Sequence, residues 1–162
     1  FDDQIFQMLS LFYAGDIFCT DQVRYHYRQH PDQDIRQGDE RFFYSLEMFR
    51  MMLKRGLAEG WNDFRPLLQS YVNTVNWIHG GLRPDLQPAF LDAAAELWVY
   101  MGKSLGAGIG APLGPERFEA PDFGYHMQRH ADRLDSLEDG FMWGYLDGIG
   151  MHVDAIRAGR AR

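Results

Sequence analysis

The apolar positions of this chain recur mostly with helical spacing, broken by glycine, proline and polar stretches. After the acidic pair Asp2-Asp3, the residues Ile5, Phe6, Met8, Leu9, Leu11, Phe12 and Tyr13 predict a helix with a wide apolar face. Ala14-Gly15-Asp16 ends it, with Gly15 available for a left-handed C-terminal position. Ile17-Phe18-Cys19-Thr20 then predicts a short buried strand, and Asp21-Gln22 a turn. Residues 23–28 predict a second strand with Tyr25 and Tyr27 alternating. His26 falls on the face opposite the two tyrosines, a structural or surface position. Residues 31–38 are a polar connection.

Further on, Asp39 is placed to cap a second helix. Phe42, Leu46, Phe49 and Leu53, at intervals of four, three and four, share one face of it, which Met48, Met51 and Met52 widen. Lys54-Arg55-Gly56 supplies cations and a glycine stop. Residues 60–63 turn the chain into a third helix, in which Pro66 is tolerated only in the first turn. Leu67, Leu68, Tyr71, Val72, Val75 and Ile78 form its buried side, and Gly80-Gly81 ends it. Pro84 opens a fourth helix, with Phe90, Ala94, Leu97 and Met101 on one face beside Leu91 and Trp98. Helices joined so closely pack as antiparallel neighbours.

Seven glycines and prolines between Gly106 and Pro121 break every period, so residues 104–123 are a loop or linker. No strand precedes these glycines and no Lys-Ser/Thr follows, which argues against a phosphate-binding loop. In residues 124–162, His126 and His130 share a helical face, the spacing of paired metal ligands. The zinc-protease glutamate is missing beside His126, and Asp122, Asp132 and His152 are the residues that could complete a site. A polar helix face is the simpler reading. Gly140, Gly144 and Gly148 also recur every four residues and suit close helix packing, a bent helix or a loop.

Composition narrows the class. The 162 residues suffice for one domain with a core. With 16 basic and 23 acidic residues the net charge is −7, which argues against a nucleic-acid footprint. Hydrophobic residues at 46% exclude a disordered chain. The single cysteine, Cys19, is expected in the core as a small hydrophobe. It cannot pair within the chain, which fits a reducing, cytoplasmic compartment. No apolar run is long enough to span a membrane.

One combination is more specific than its parts. Asp2-Asp3, a helix, Ala14-Gly15, a short strand and then Tyr25-x-Tyr27-Arg28-x-His30-Pro31 resembles the C-terminal half of the catalytic domain of family-2 glycosyltransferases. The resemblance covers residues 1–55 and fades beyond. It implies a parent with the α/β, Rossmann-like GT-A fold, of which this chain holds a mainly helical part with a short N-terminal β remnant. Residues 1–38 would end the catalytic domain and residues 39–103 would form a helical region packed on it. Residues 104–123 would be a linker and residues 124–162 a last helical segment.

By the same resemblance Asp3 is the general base that deprotonates the acceptor hydroxyl. Asp2 stands beside it where the family usually has glutamate. Arg28 and His30 would meet the leaving diphosphate, Arg28 with a bidentate guanidinium and His30 as a ligand of the divalent ion, Mg2+ or Mn2+. The implied reaction is inverting transfer of a hexose-like sugar from a nucleotide sugar to a hydroxyl of a glycan or lipid-linked acceptor, in surface polysaccharide synthesis. A location in the cytoplasm, with peripheral membrane contact, goes with it.

The family's Asp-x-Asp metal motif and nucleotide-binding strands are not found; Asp32-x-Asp34 is a chance match in a loop. The chain is therefore expected to be the C-terminal part of a longer protein, inactive alone. The alternative is a free-standing helical binding module, with or without a histidine metal site.

Overall fold

The structure, a computed structural model, describes residues 2–22, 26, 38–106, 115–131, 141 and 145, with backbone alone for residues 2–4. Every regular element among the described residues is helical: α1 (Asp2–Tyr13), α2 (Tyr44–Glu59), α3 (Arg65–Gly81), α4 (Gln87–Leu105) and α5 (Phe123–Ala131), with single 3-10 turns at Glu40–Phe43 and Pro115–Arg117. The expectation of a mainly helical chain is met.

The expected strand at residues 17–20 is not. These residues have no regular structure and are exposed, and Cys19 lies at the surface instead of in a buried strand. A lone strand has no partner for its backbone groups, and among the described residues none is offered. Of the second expected strand, only His26 is described, and it is exposed without regular structure. Gly15 does not adopt the left-handed conformation; the positive φ values among the described residues belong to Gly38, Gly60 and Gly106.

The start of α2 follows the sequence closely. Asp39 accepts a hydrogen bond from the Arg41 backbone N–H at 3.1 Å and holds the 3-10 turn that leads into the helix. Just before it, Gly38 takes φ +59° and its carbonyl accepts from the Arg83 N–H at 2.9 Å, so the entry of α2 is tied to the turn between α3 and α4. Any side chain at Gly38 would run into the Gly81 carbonyl.

The end of α2 departs from expectation. The helix does not stop at Gly56 but runs to Glu59, where Gly60 at φ +70° forms the C-cap. Gly56 has a different duty: the Trp61 indole lies where its side chain would be. Met51, expected on the buried face, is half exposed, while Met48 and Met52 are buried. The next helix also starts later than expected. Pro84 belongs to a turn, and Pro88 occupies the first turn of α4.

The core joins α2, α3 and α4, and all of the apolar residues expected on the faces of α3 and α4 are buried in it. Phe43 meets Phe90 edge to face at 5.4 Å, and Phe49 meets Tyr71 likewise at 5.0 Å. Tyr71 stacks on Trp98 at 5.6 Å and donates to the Ala94 carbonyl at 2.7 Å. Burial pushes the Tyr71 hydroxyl pKa up, so it stays a donor.

The segment expected to be a linker contributes to this core. Phe118 stacks on Phe123 at 3.6 Å and presents its edge to Trp98 at 5.1 Å. Helix α4 itself extends to Leu105, beyond the point where the loop was expected to begin.

Two glycines should respond oppositely to alanine. At Gly56 the new Cβ would sit 2.6 Å from Trp61 and 2.8 Å from Phe64, so Gly56→Ala should destabilise by about 1–3 kcal/mol. At Gly80 nothing lies within 4 Å, so Gly80→Ala should stabilise by about 0.4–1 kcal/mol. Urea unfolding of both variants checks this, and equal midpoints would contradict it.

Candidate functional site

Between residues 90 and 101 the chain is apolar except for Asp92 and Glu96, four apart and so on one face of α4. Helix α5 packs on α4 and brings His126, Arg129 and His130 to that face. Asp92 Oδ1 lies 2.8 Å from His126 Nδ1, 2.9 Å from Arg129 Nη1 and 3.3 Å from His130 Nε2. Its other oxygen accepts from the Tyr145 hydroxyl at 3.2 Å, and that hydroxyl lies 2.7 Å from Glu96 Oε2. The Asp92 side chain is 14% exposed and that of His126 10%.

The electrostatics follow from these contacts. Burial of Asp92 opposes its ionisation most strongly, but the His126 hydrogen bond and the neighbouring His130 and Arg129 charges together outweigh it. The carboxyl is held below its ordinary value. Burial, then the hydrogen bond to Glu96 and the charges of both carboxylates, push the Tyr145 hydroxyl pKa well above its ordinary value. Tyr145 therefore keeps its proton and acts as donor. A hydrogen bond from Nδ1 to Asp92 would leave His126 Nε2 as the basic nitrogen, which lies 3.6 Å from the Asp122 carboxylate.

This is a charged clasp between two helices. His126 and His130 share a polar face of α5, and His126 is buried there against α4, because Asp92 offers its ring a partner. Among the described residues no three His, Cys, Asp or Glu side chains are arranged to hold a metal ion. Arg129 places a guanidinium against the oxygen that a cation would need. His130 Nε2 is shielded from water and, at 3.3 Å from Asp92, outside hydrogen-bond geometry. Asp132 and His152 lie outside the described residues, as do Gly140, Gly144 and Gly148.

Of the four residues singled out by resemblance, two are described. Asp2 and Asp3 are the first two residues of α1. Arg28 and His30 lie outside the described residues. Helix α1 rests on α2 through Ile5, Met8 and Leu9, and Phe12 stacks on Trp61 at 4.1 Å. The Tyr13 hydroxyl donates to Glu59, which also pairs with Arg55. Beside this seam runs a groove of about 700 Å³ with Ile5, Leu9, Met51 and Met52 as its apolar lining and Glu47, Arg50, Lys54 and Arg55 as its charged lining. The outer side of α1 and the segment after it leave Phe6 73% and Phe18 92% exposed. No helix among the described residues is long and apolar enough to cross a membrane.

Sequence reasoning found the histidine pair but not Asp92 and Glu96. Their signal was present: two acids four apart inside an otherwise apolar helix are placed to meet cations on a packed neighbour. Comparisons of the chain with protein-family models, with curated proteins and with solved structures found no match. The fold, among the described residues, is all-helical, with a mostly buried ionic cluster between α4 and α5.

Asp92→Asn should destabilise by about 1–3 kcal/mol, since it leaves the basic groups of α5 without their anion. The pH dependence has a definite sign. The folded pKa of Asp92 is depressed, so its contribution is present above the unfolded pKa and lost as pH falls through the folded one. Urea midpoints measured from neutral pH into the acid range should fall more steeply for the native chain than for Asp92→Asn; parallel curves would refute this role for Asp92.

Proposed function

We propose that this chain is the acceptor-side, C-terminal portion of a family-2 inverting glycosyltransferase whose nucleotide-binding half is of the GT-A type. The observation that carries the reading is the acidic pair Asp2-Asp3 at the N-terminus of a helix, followed by Tyr25-x-Tyr27-Arg28-x-His30-Pro31. A helix N-terminus stabilises a carboxylate through the aligned backbone dipoles, which is the state a general base requires. The groove beside α1, where Ile5, Leu9, Met51 and Met52 lie among the charged Glu47, Arg50, Lys54 and Arg55, suits an acceptor with an apolar portion and polar groups.

The proposed chemistry balances simply. Asp3 takes the proton from the acceptor hydroxyl as that oxygen bonds to the anomeric carbon. The bond from that carbon to the diphosphate oxygen breaks, and the nucleoside diphosphate leaves with the electron pair on the opposite face, so the configuration inverts. Asp2 positions, and Arg28 neutralises charge on the leaving group. A divalent ion, Mg2+ or Mn2+, would supply Lewis-acid stabilisation of that diphosphate, with His30 as the candidate ligand in this chain.

A second reading, a helical interaction module, is favoured by the exposed Phe6 and Phe18. In the transferase reading the same surface lies against the rest of the catalytic domain. The coding sequence upstream of Phe1 separates the two. A nucleotide-binding βαβ pattern with an Asp-x-Asp motif belongs to the transferase, and a start codon immediately before Phe1 removes it.

The 162 residues alone should show no sugar transfer, because in this reading the donor site belongs to the nucleotide-binding half. In the parent, Asp3→Asn should lower turnover by about 100- to 10,000-fold, the range for a lost acid-base group. Donor affinity should change little, and Asp2→Asn should cost less than Asp3→Asn. Steady-state kinetics with donor titration calorimetry measures both. Retained turnover in Asp3→Asn, or greater damage in Asp2→Asn, would refute the assignment.

A further inference from the structure

On the face of α3 away from the core, a shallow depression of about 270 Å³ is lined by Asn73, Asn76, Trp77 and Glu119. Trp77 is 52% exposed, which is unusual for the residue type with the largest apolar surface to hide. Its indole is braced edge to face against the buried Phe42 at 5.5 Å, so the ring is held as a fixed wall.

The polar groups around it are also held. Asn76 donates to the Arg117 carbonyl at 3.3 Å and accepts from the Glu119 N–H at 3.0 Å, which pins the segment before α5 beside α3 and sets Glu119 at the rim. Gln69 donates to Asn73 Oδ1 at 3.0 Å, which fixes that amide and leaves its two N–H donors unspent. The depression therefore offers one flat aromatic wall, amide donors on one side and carboxylate acceptors on the other.

We propose that this depression is a binding subsite for one neutral pyranose ring of a glycan. A sugar ring has a face of C–H bonds, which packs on an aromatic plane, and an edge of hydroxyls that both donate and accept. A purely apolar ligand would leave Asn73 and Glu119 unpaired, at the cost of desolvating them. An anionic sugar would meet the Glu119 carboxylate and a chain of net charge −7. The volume is just below the 300–1,000 Å³ usual for ligand pockets, which suits a single ring. The subsite is lined by no residue of α1 and does not depend on the transferase reading, since binding requires no transfer.

The test is saturation-transfer NMR on the 162-residue chain with methyl glycosides of glucose, galactose, mannose and N-acetylglucosamine, and with methyl glucuronide as the anionic comparator. At least one neutral glycoside should receive saturation at its ring C–H protons, with an affinity of about millimolar, as expected for so small a contact. Trp77→Ala should weaken that binding by about tenfold or more, the effect of losing a central aromatic contact. Because Trp77 also braces Phe42, Asn73→Ala serves as a second variant on an exposed position, and it too should weaken binding with an unchanged circular-dichroism spectrum. The glucuronide should bind more weakly than the matched glucoside, and Glu119→Gln should narrow that gap. The proposal is overturned by the absence of binding to all four neutral glycosides, by binding unaffected in Asn73→Ala, or by a preference for the glucuronide.

Discussion

The close approach of the neighbours of α4 is the constraint on which the rest of the structure depends. Ala93, Ala94 and Ala95 are all fully buried, and a single methyl at each position lets the surrounding helices come near the α4 backbone. At that short distance the Tyr71 hydroxyl reaches the Ala94 carbonyl and its ring lies flat on Trp98. Larger residues there would push α3 away and take both contacts with it, since interiors at this packing density relax only partly. The aromatic pairs around the core then follow, with Phe49 and Phe118 both meeting Tyr71 edge-on.

The same closeness gives Asp92 its character. An aspartate on a solvated helix face gains little from a nearby cation, as Asp63 and Arg65 illustrate. Arg65 holds that carboxyl down to about 2, yet the pair is exposed and its worth to folding is small. Asp92 is mostly out of water, and His126, Arg129 and His130 crowd one of its oxygens. There the desolvation cost is real and is offset only because several partners converge. The cluster fixes how α5 sits on α4. It also brings both histidines against Asp92.

Helix α1 belongs to a different regime. It touches α2 along Ile5, Met8 and Leu9 and through Phe12, while a broad apolar surface remains in water. Its N-terminal acids are in the position where the helix dipole favours negative charge, which any first-turn acid enjoys. What raises them above that general effect, in the transferase reading, is the aromatic-basic motif that follows at a fixed separation.

The sequence by itself determined that the chain is mainly helical, the buried faces of α3 and α4 and the Asp39 cap, because apolar periodicity and capping are local properties that burial then rewards. It also determined the pairing of His126 with His130 on one face. The tertiary structure alone decided where those faces meet. Gly56 carries a stop signal locally, yet it is a contact point for Trp61, and only the fold reveals which side of a glycine is occupied. Residues 17–20 have the composition of a strand but stand exposed, since a strand exists only with a partner that supplies its hydrogen bonds. Asp92 looks like an ordinary helical acid in the sequence. It becomes the centre of an ionic cluster because α5, 34 residues further on at His126, folds back against it, and such long-range contacts have no signature in local spacing.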